Sequence, residues 1–385
     1  MRVLHVISSL AERAGGPPIV ATRLAAAQAG LGHDVTILCY DAGEQQEVRH
    51  EFPIPDAGRP LKVVRIDAAG TRERILAPAA GTTAHKLLDD HDILHVHGIW
   101  EPMLRAAASA ADELSRPYVI APHGMLDTWA LAVKTWKKKL ALAIVYRRFI
   151  RGASLLHALS QHEQECVADF GYRGPVELIP NGVFMDEIEP LPAPGATRAR
   201  IPELGDDPFI LFLSRLAPVK RLDLLAEAFS RILDRHPAAR LVVAGPDWGA
   251  EQPLREQIKQ LGIQNRVHLT GPLYGADKFA AMVDAACFCL PSRHEAFSVA
   301  VVEALAVGCP VVITENCNFP EVASAGAGAV VPLDAASVAD ALDQMLTDAE
   351  WRSAAAKNAR QLVLDHYTWP KIAEKSITAY QRVLA

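Results

Sequence analysis

Cys287-Phe-Cys-Leu290, followed by Pro291-Ser-Arg-His-Glu295-Ala-Phe-Ser298-Val-Ala-Val-Val-Glu303-Ala-Leu-Ala-Val-Gly308-Cys-Pro310, is the stretch on which the reading of this chain turns. A short apolar run, a polar loop and a longer apolar segment stopped by Gly308-Cys-Pro310 read as strand, loop and helix. Ser298 stands where an N-cap residue would. Val299 to Val307 is apolar nearly all round, as in a buried helix, and Glu303 is the exception. A buried carboxylate is costly unless something hydrogen-bonds it. Two partners suit it: a basic side chain, or the hydroxyl groups of a ligand. Glu295 lies eight positions earlier, in the loop. That separation is about 12 Å in a fully formed helix, enough for two carboxylates to meet different parts of one elongated ligand. The helix N-terminus between them offers free N–H groups and a positive dipole end, which favour a phosphate.

Outward from this stretch, short apolar runs alternate with helical segments. The strand candidates are 3–7, 35–39, 63–66, 93–96, 118–121, 155–158 and 176–179 in the first half, and 209–213, 241–244, 267–269, 287–290, 311–313 and 329–331 in the second. Most are near-continuous Val/Ile/Leu runs, the pattern of strands buried on both faces of a parallel sheet. The class is therefore α/β. At roughly 150 residues per domain, 385 residues suggest two domains. The stretch Glu189-Pro-Leu-Pro-Ala-Pro-Gly195 interrupts any element and sets the expected boundary: 1–188, then 189–368. The helical segment 369–385 is free to pack on either domain. Two doubly wound domains facing across a cleft are expected to bind ligands at the carboxyl ends of their strands.

Four further segments follow strand ends. In Ser214-Arg215-Leu-Ala-Pro-Val-Lys220-Arg-Leu-Asp223, Arg215 and Lys220 suit phosphate oxygens. In Ser8-Ser-Leu-Ala-Glu-Arg-Ala-Gly15-Gly16-Pro-Pro18, the glycines permit close backbone approach and the prolines suit a helix start. Pro122-His123-Gly124-Met125 puts a histidine at a strand end, where His97 of His95-Val-His97-Gly98, with Trp100 beyond it, competes for the same role. Ile179-Pro-Asn-Gly-Val183 runs a strand into a turn.

Composition narrows the function. Hydrophobic residues make up 50% of the chain and charged residues 22%, and the formal net charge is -6, which disfavours nucleic acid as a partner. The six cysteines show no zinc-type pairing. No GxGxxG or GxxxxGK[ST] occurs, which weakens dinucleotide and P-loop readings. Neither a signal peptide nor a membrane span is legible, and a cytoplasmic location is expected. The basic, partly apolar stretch Lys134–Arg151 reads either as a solvated helix face or as a docking surface for an anionic membrane.

Together, the Glu295-(seven residues)-Glu303 spacing, Arg215 with Lys220, Gly15-Gly16, His123-Gly124 and Ile179-Pro-Asn-Gly-Val183 resemble glycosyltransferase family 4, retaining enzymes of the two-domain GT-B fold. The resemblance covers nearly the whole chain. It implies a transferase moving sugar from a UDP- or GDP-sugar to a glycan or lipid-linked acceptor, in cell-surface polysaccharide synthesis. By that resemblance Glu303 binds the ribose hydroxyls, and Glu295 holds a donor-sugar hydroxyl. Phe297, Ser298 and Val299 meet sugar and phosphate through their backbone. Arg215 and Lys220 neutralise the departing diphosphate in place of a metal, and the loop Gly271-Pro-Leu273-Tyr274 cradles the base. Gly15 and Gly16 approach diphosphate or acceptor, and His123 touches the donor sugar. Gly16, His97, Trp100 and His123 are the acceptor-side candidates. Catalysis is assigned to His123, Arg215, Lys220 and Glu295, with no cofactor. Two alternatives stay open: a nicotinamide-dependent oxidoreductase, and a non-catalytic sugar-nucleotide-binding module.

Overall fold

The computed structural model describes residues 1–11, 16–40, 61–67, 70–127 and 146–385. Gly15 and residues 134–145 of the basic stretch lie outside the described residues. The chain forms two units, Met1–Asn181 with Trp369–Ala385, and Gly182–Thr368.

The first unit holds a seven-stranded parallel sheet of β1 (Arg2–Val6), β2 (Asp34–Tyr40), β3 (Lys62–Ile66), β4 (Ile93–His97), β5 (Tyr118–Ala121), β6 (Leu155–Ala158) and β7 (Val176–Leu178), in the order β3-β2-β1-β4-β5-β6-β7. The second holds six parallel strands, β8 (Phe209–Leu213), β9 (Arg240–Ala244), β10 (Val267–Gly271), β11 (Cys287–Leu290), β12 (Val311–Thr314) and β13 (Gly328–Val331), in the order β10-β9-β8-β11-β12-β13. All thirteen strand candidates are strands, within a residue or two of their expected ends. In each sheet the order reverses once, beside β1 and β4 and beside β8 and β11. Doubly wound sheets bind ligands at such points.

The second sheet is apolar on both faces, and residues of β8, β9, β11 and β12 join one buried cluster. The first sheet is not symmetric. Leu4, Val6, Leu94, Val96, Ile120 and Leu156 bury one face against the helices Pro78–Leu88 and Pro102–Glu113. On the other face His5, His95, His97 and His157 are fully or almost fully buried. His5 meets Gln28 of the helix Gly16–Gly30, and His95 meets Tyr380 of the helix Trp369–Leu384. The C-terminal helix thus belongs to the first unit, where Trp369 and Tyr380 are 1% and 0% exposed. Aromatic side chains of this kind bury about 150–250 Å² each, a strong anchor for the last helix.

The division between units falls before the proline-rich stretch, not within it. The Val183 amide donates to the Tyr367 carbonyl at 2.9 Å, and Val183 pairs with Thr368. Ile188 is buried in the second core. Those contacts draw 182–188 into the second unit, ahead of the expected boundary at 189.

Candidate functional site

In the second unit, two loops meet at the carboxyl ends of β8 and β11. The Arg293 amide donates to the Val219 carbonyl at 2.8 Å and joins them. Lys220 closes a single turn, Pro218–Lys220, and is only 6% exposed. Its Nζ meets Glu295 Oε1 at 2.5 Å, and Ser292 Oγ donates to the same oxygen at 2.5 Å. The Glu295 backbone is held by Asn316 and by Asn318, whose Nδ2 donates to its carbonyl at 2.7 Å. Lys220 and Glu295, 75 residues apart in sequence, are therefore direct partners. Arg215 is exposed, and its guanidinium lies 4.6 Å from the centre of the Trp248 ring. Stacking of this kind holds a cation over its neighbour while leaving its N–H fork open.

The helix Val299–Ala306 begins at Ser298, but the Ser298 side chain makes no capping bond, contrary to the expectation for an N-cap serine. Among the described residues no side chain caps its first-turn N–H groups, and such groups attract anions. Glu303 is 7% exposed, and its Oε1 accepts from Lys278 Nζ at 2.8 Å. The basic-partner alternative is thus realised, by a lysine the sequence argument did not single out. Phe297 packs with Phe319 and Tyr367, with ring centres 5.4 and 6.1 Å away. Val299 and Leu273 are half-buried, and Tyr274 beside Leu273 is 71% exposed.

In the first unit, His123 sits just past β5 with φ of +53°, and Gly124 follows at +76°. A left-handed histidine is uncommon and costs about 1 kcal/mol or more, so something must hold it. Glu163 does: its Oε1 accepts from the Gly124 amide at 2.5 Å and its Oε2 from the Leu159 amide at 2.7 Å. Burial pushes the Glu163 carboxyl up to about 7. The spacing Ser160-Gln-His-Glu163 matches a capping box, and Ser160 Oγ indeed accepts from the Glu163 amide. The Glu163 carboxylate is used elsewhere, which sequence alone does not reveal.

His123 Nε2 is 3.1 Å from His97 Nδ1, and His97 Nε2 is 2.8 Å from His5 Nδ1. His97 is 2% exposed, and both of its ring nitrogens are engaged, one by His5 and one by His123. Trp100 is half-buried beside Tyr146, whose hydroxyl donates to its carbonyl at 2.7 Å. Gly16 is exposed at the start of its helix, and no described atom lies within 4 Å of where a Cβ would sit. Among the described residues, packing sets no requirement for glycine there. Asp90-His91-Asp92 is an Asp-x-Asp triplet. It precedes β4 at the amino edge, and Asp92 accepts from the Arg2 amide at 2.8 Å and from its guanidinium. It lies at the opposite end of the strand from His97.

Two doubly wound units, one with a buried lysine–glutamate pair and an uncapped helix start at its switch point, define a glycosyltransferase of the GT-B fold. The sequence profile of "Glycosyl transferases group 1" matches residues 196–362, and that of "Glycosyltransferase Family 4" matches 14–187. The chain belongs to this family of glycosyltransferases. The oxidoreductase alternative is thereby set aside. An uncharacterised glycosyltransferase of Methanocaldococcus jannaschii is 30% identical over 178 residues, 46% of this chain and 45% of that one. The GDP-mannose:cellobiosyl-diphosphopolyprenol alpha-mannosyltransferase of Xanthomonas campestris is 25% identical across 100% of this chain and 97% of its own length. Anabaena HepE, solved in complex with UDP and glucose, shares the fold at a TM-score of 0.78 and 21% identity, over 99% of this chain and 100% of that one.

Proposed function

We propose that the protein transfers a sugar from a nucleotide-diphosphate sugar to a glycan or lipid-linked acceptor, with retention of configuration and without a metal ion, in the assembly of cell-surface polysaccharide. The observation that carries this is the meeting of Lys220, Glu295 and Ser292 at the β8/β11 switch point, with Arg215 on the same loop as Lys220. Departure of a nucleoside diphosphate builds negative charge on its phosphates. Fixed cations aimed at that charge are the largest available stabilising effect. Arg215 and Lys220 supply them, and the uncapped start of Val299–Ala306, with Phe297 and Ser298 beside it, offers backbone donors to the phosphates. Glu295, oriented by Lys220 and Ser292, holds a sugar hydroxyl. Glu303, with Lys278, binds the ribose. Leu273 borders the base, Gly15 and Gly16 let the diphosphate or acceptor approach the backbone, and His123 contacts the transferred sugar. The name of the Xanthomonas relative makes GDP-mannose and a polyprenol-linked glycan the first pair to assay. No described helix is long and apolar enough to cross a membrane. Exposed Arg147, Arg148 and Arg151 support peripheral docking on an anionic surface.

A thermal-shift panel of UDP- and GDP-sugars, followed by turnover of the stabilising donor in excess chelator, tests the proposal. Ligand binding raises the unfolding midpoint by mass action, and turnover is expected to survive chelation. A shift with NADH and with no sugar nucleotide, or complete and metal-reversible loss of turnover, would overturn it.

A further inference from the structure

The buried polar face of the first sheet forms a single hydrogen-bonded chain whose direction can be worked out from its ends. The Ile179 carbonyl can only accept, so His157 Nε2, 2.6 Å away, carries its hydrogen. His157 Nδ1 is then an acceptor, and His95 Nε2 donates to it at 3.4 Å. That leaves His95 Nδ1 to accept from the Tyr380 hydroxyl at 2.7 Å.

The second end gives the same answer. Ser376 Oγ donates to the Ala373 carbonyl at 2.7 Å, so it accepts from Gln28 Nε2 at 2.8 Å. Gln28 Nε2 also lies 3.3 Å from the Tyr380 oxygen, which accepts its second hydrogen. The Gln28 amide is thereby oriented, and its Oε1 accepts from His5 Nε2 at 2.8 Å. His5 Nδ1 must accept from His97 Nε2, and His97 Nδ1 from His123 Nε2. Every neutral imidazole has one donor and one acceptor nitrogen, so each link fixes the next. The chain ends on His123 Nδ1, bare of hydrogen and without a partner among the described residues.

Burial supports the neutral state throughout. Desolvation brings His5 and His157 down to about 4 and His123 down to about 3, and holds His95 and His97 well below the usual imidazole range. A metal ion is the competing occupant, since ligand nitrogens of His5, His95 and His97 lie within 4.8 Å of one another. All six of those ring nitrogens are engaged in the bonds above, and a metal would have to break several.

We propose that Gln28, His5 and His97 are positioning residues that fix the tautomer of His123, making its Nδ1 an obligate hydrogen-bond acceptor for one hydroxyl of the transferred sugar. The inference rests on the assignment of His123 as a sugar contact. It adds a selection rule. A sugar presenting a hydroxyl there is bound. A deoxy or O-methyl sugar has no hydrogen to give, and a uronic acid presents a carboxylate to a nitrogen that can only accept. Glu163 completes the device by holding the left-handed turn that aims the ring.

Two-bond proton–nitrogen correlation on histidine-labelled wild-type enzyme tests the tautomer directly, with His123→Asn to assign the signal. The expected pattern is hydrogen on Nε2 and none on Nδ1. Hydrogen on Nδ1, or exchange between tautomers, would overturn the inference without any variant having to fold. Gln28→Leu removes the acceptor for His5. It is expected to mix the His123 tautomers and raise the donor KM about five- to tenfold, the worth of one neutral hydrogen bond, with kcat less affected. An unchanged His123 signal in folded Gln28→Leu also counts against the proposal. Donors deoxygenated at one hydroxyl at a time supply the separate control. One of them is expected to lose about five- to tenfold in kcat/KM with wild type and nothing further with His123→Ala. If His123→Ala has wild-type donor kinetics, the sugar contact fails while the tautomer result stands on its own.

Discussion

The two switch points share a topology and differ in electrostatics. At β8/β11 a lysine and a glutamate are buried against each other beside an exposed arginine. At β1/β4 the buried polar groups are neutral imidazoles linked in one direction. A charged pair in a low-dielectric setting can answer a charge that appears on a ligand. A neutral chain cannot, but it can discriminate between donors and acceptors of a hydrogen bond. The same fold thus carries one end suited to a phosphate and one suited to a hydroxyl.

Acid should break this comparison most sharply. An imidazole whose folded pKa is depressed contributes stability that is present above its unfolded value of about 6.5 and is lost as pH falls toward the folded value. For His5 and His157 the window runs down to about 4, and for His123 to about 3. Each fully buried ring costs about 1.4 kcal/mol per pH unit inside its window. Glu163 works the other way: raised to about 7, its contribution is present below its unfolded value and is lost as pH rises through 7. Five rings outweigh one carboxyl, so acidification from about pH 6.5 to about pH 5 should destabilise the first unit by several kcal/mol. Hydrogen exchange read by peptide, corrected for intrinsic rate, should lose protection in β1, β4 and β6 well before β8 and β11. Equal loss in both sheets would show that the rings are not held neutral.

Next in size is the charged end. Lys220→Met is expected to lower kcat about 10²–10³-fold. Because it strands Glu295 without its buried partner, it also costs stability, about 3–5 kcal/mol for a fully buried pair. Arg215→Gln avoids that confusion, since Arg215 is exposed, and is expected to lower kcat about 10²-fold with an unchanged unfolding midpoint. If both variants retain kcat within a factor of about three, the β8/β11 switch point does not serve the leaving group.

Glu303 gives a smaller and more selective effect. Glu303→Gln keeps the shape and removes the charge paired with Lys278. The donor KM should rise about tenfold or more, with kcat moved less. Lys278→Met separates the roles: if Glu303 serves only the ion pair, the two variants lose stability alike and neither shifts the donor KM.

These outcomes also measure what the sequence makes legible. The thirteen strands follow from short apolar runs, because strands buried on both faces carry a local signal, whereas their order in each sheet does not. The loop residues Arg215, Lys220 and Glu295 are legible as candidates because each follows a strand end. Their pairing is not, since Lys220 and Glu295 are brought together by adjacent strands far apart in sequence. The histidine face is the instructive omission. His5, His95 and His157 each interrupt an apolar strand, and His5 and His95 are register partners. The alternation was visible, but a run of valines and leucines reads the same with one polar residue in it. Gln28, Ser376 and Lys278 carry no local signal, being helix residues defined only by what they face.

The surface of the first unit supplies the smallest effect, and it sharpens the contrast between a neutral interior and a basic exterior. Of the stretch 134–151, the structure describes Tyr146 onward. Arg147, Arg148 and Arg151 are exposed, while Phe149 and Ile150 are 5% and 0% exposed within the first core. Phe149 is thus already used for folding and is not available to insert into a bilayer. Any docking through these residues is electrostatic. A basic residue near an anionic surface gains about 1 kcal/mol at most, and at physiological salt the field decays over about 8 Å. With a net charge of -6 on the whole chain, replacing all three arginines by Gln should weaken binding to phosphatidylglycerol vesicles only about three- to tenfold at low salt. Added salt should erase the difference, and donor turnover in solution should not change. Binding that persists in high salt would mean apolar insertion from elsewhere in the chain. Wild-type protein that ignores the vesicles at low salt would make the arginines an ordinary solvated helix face.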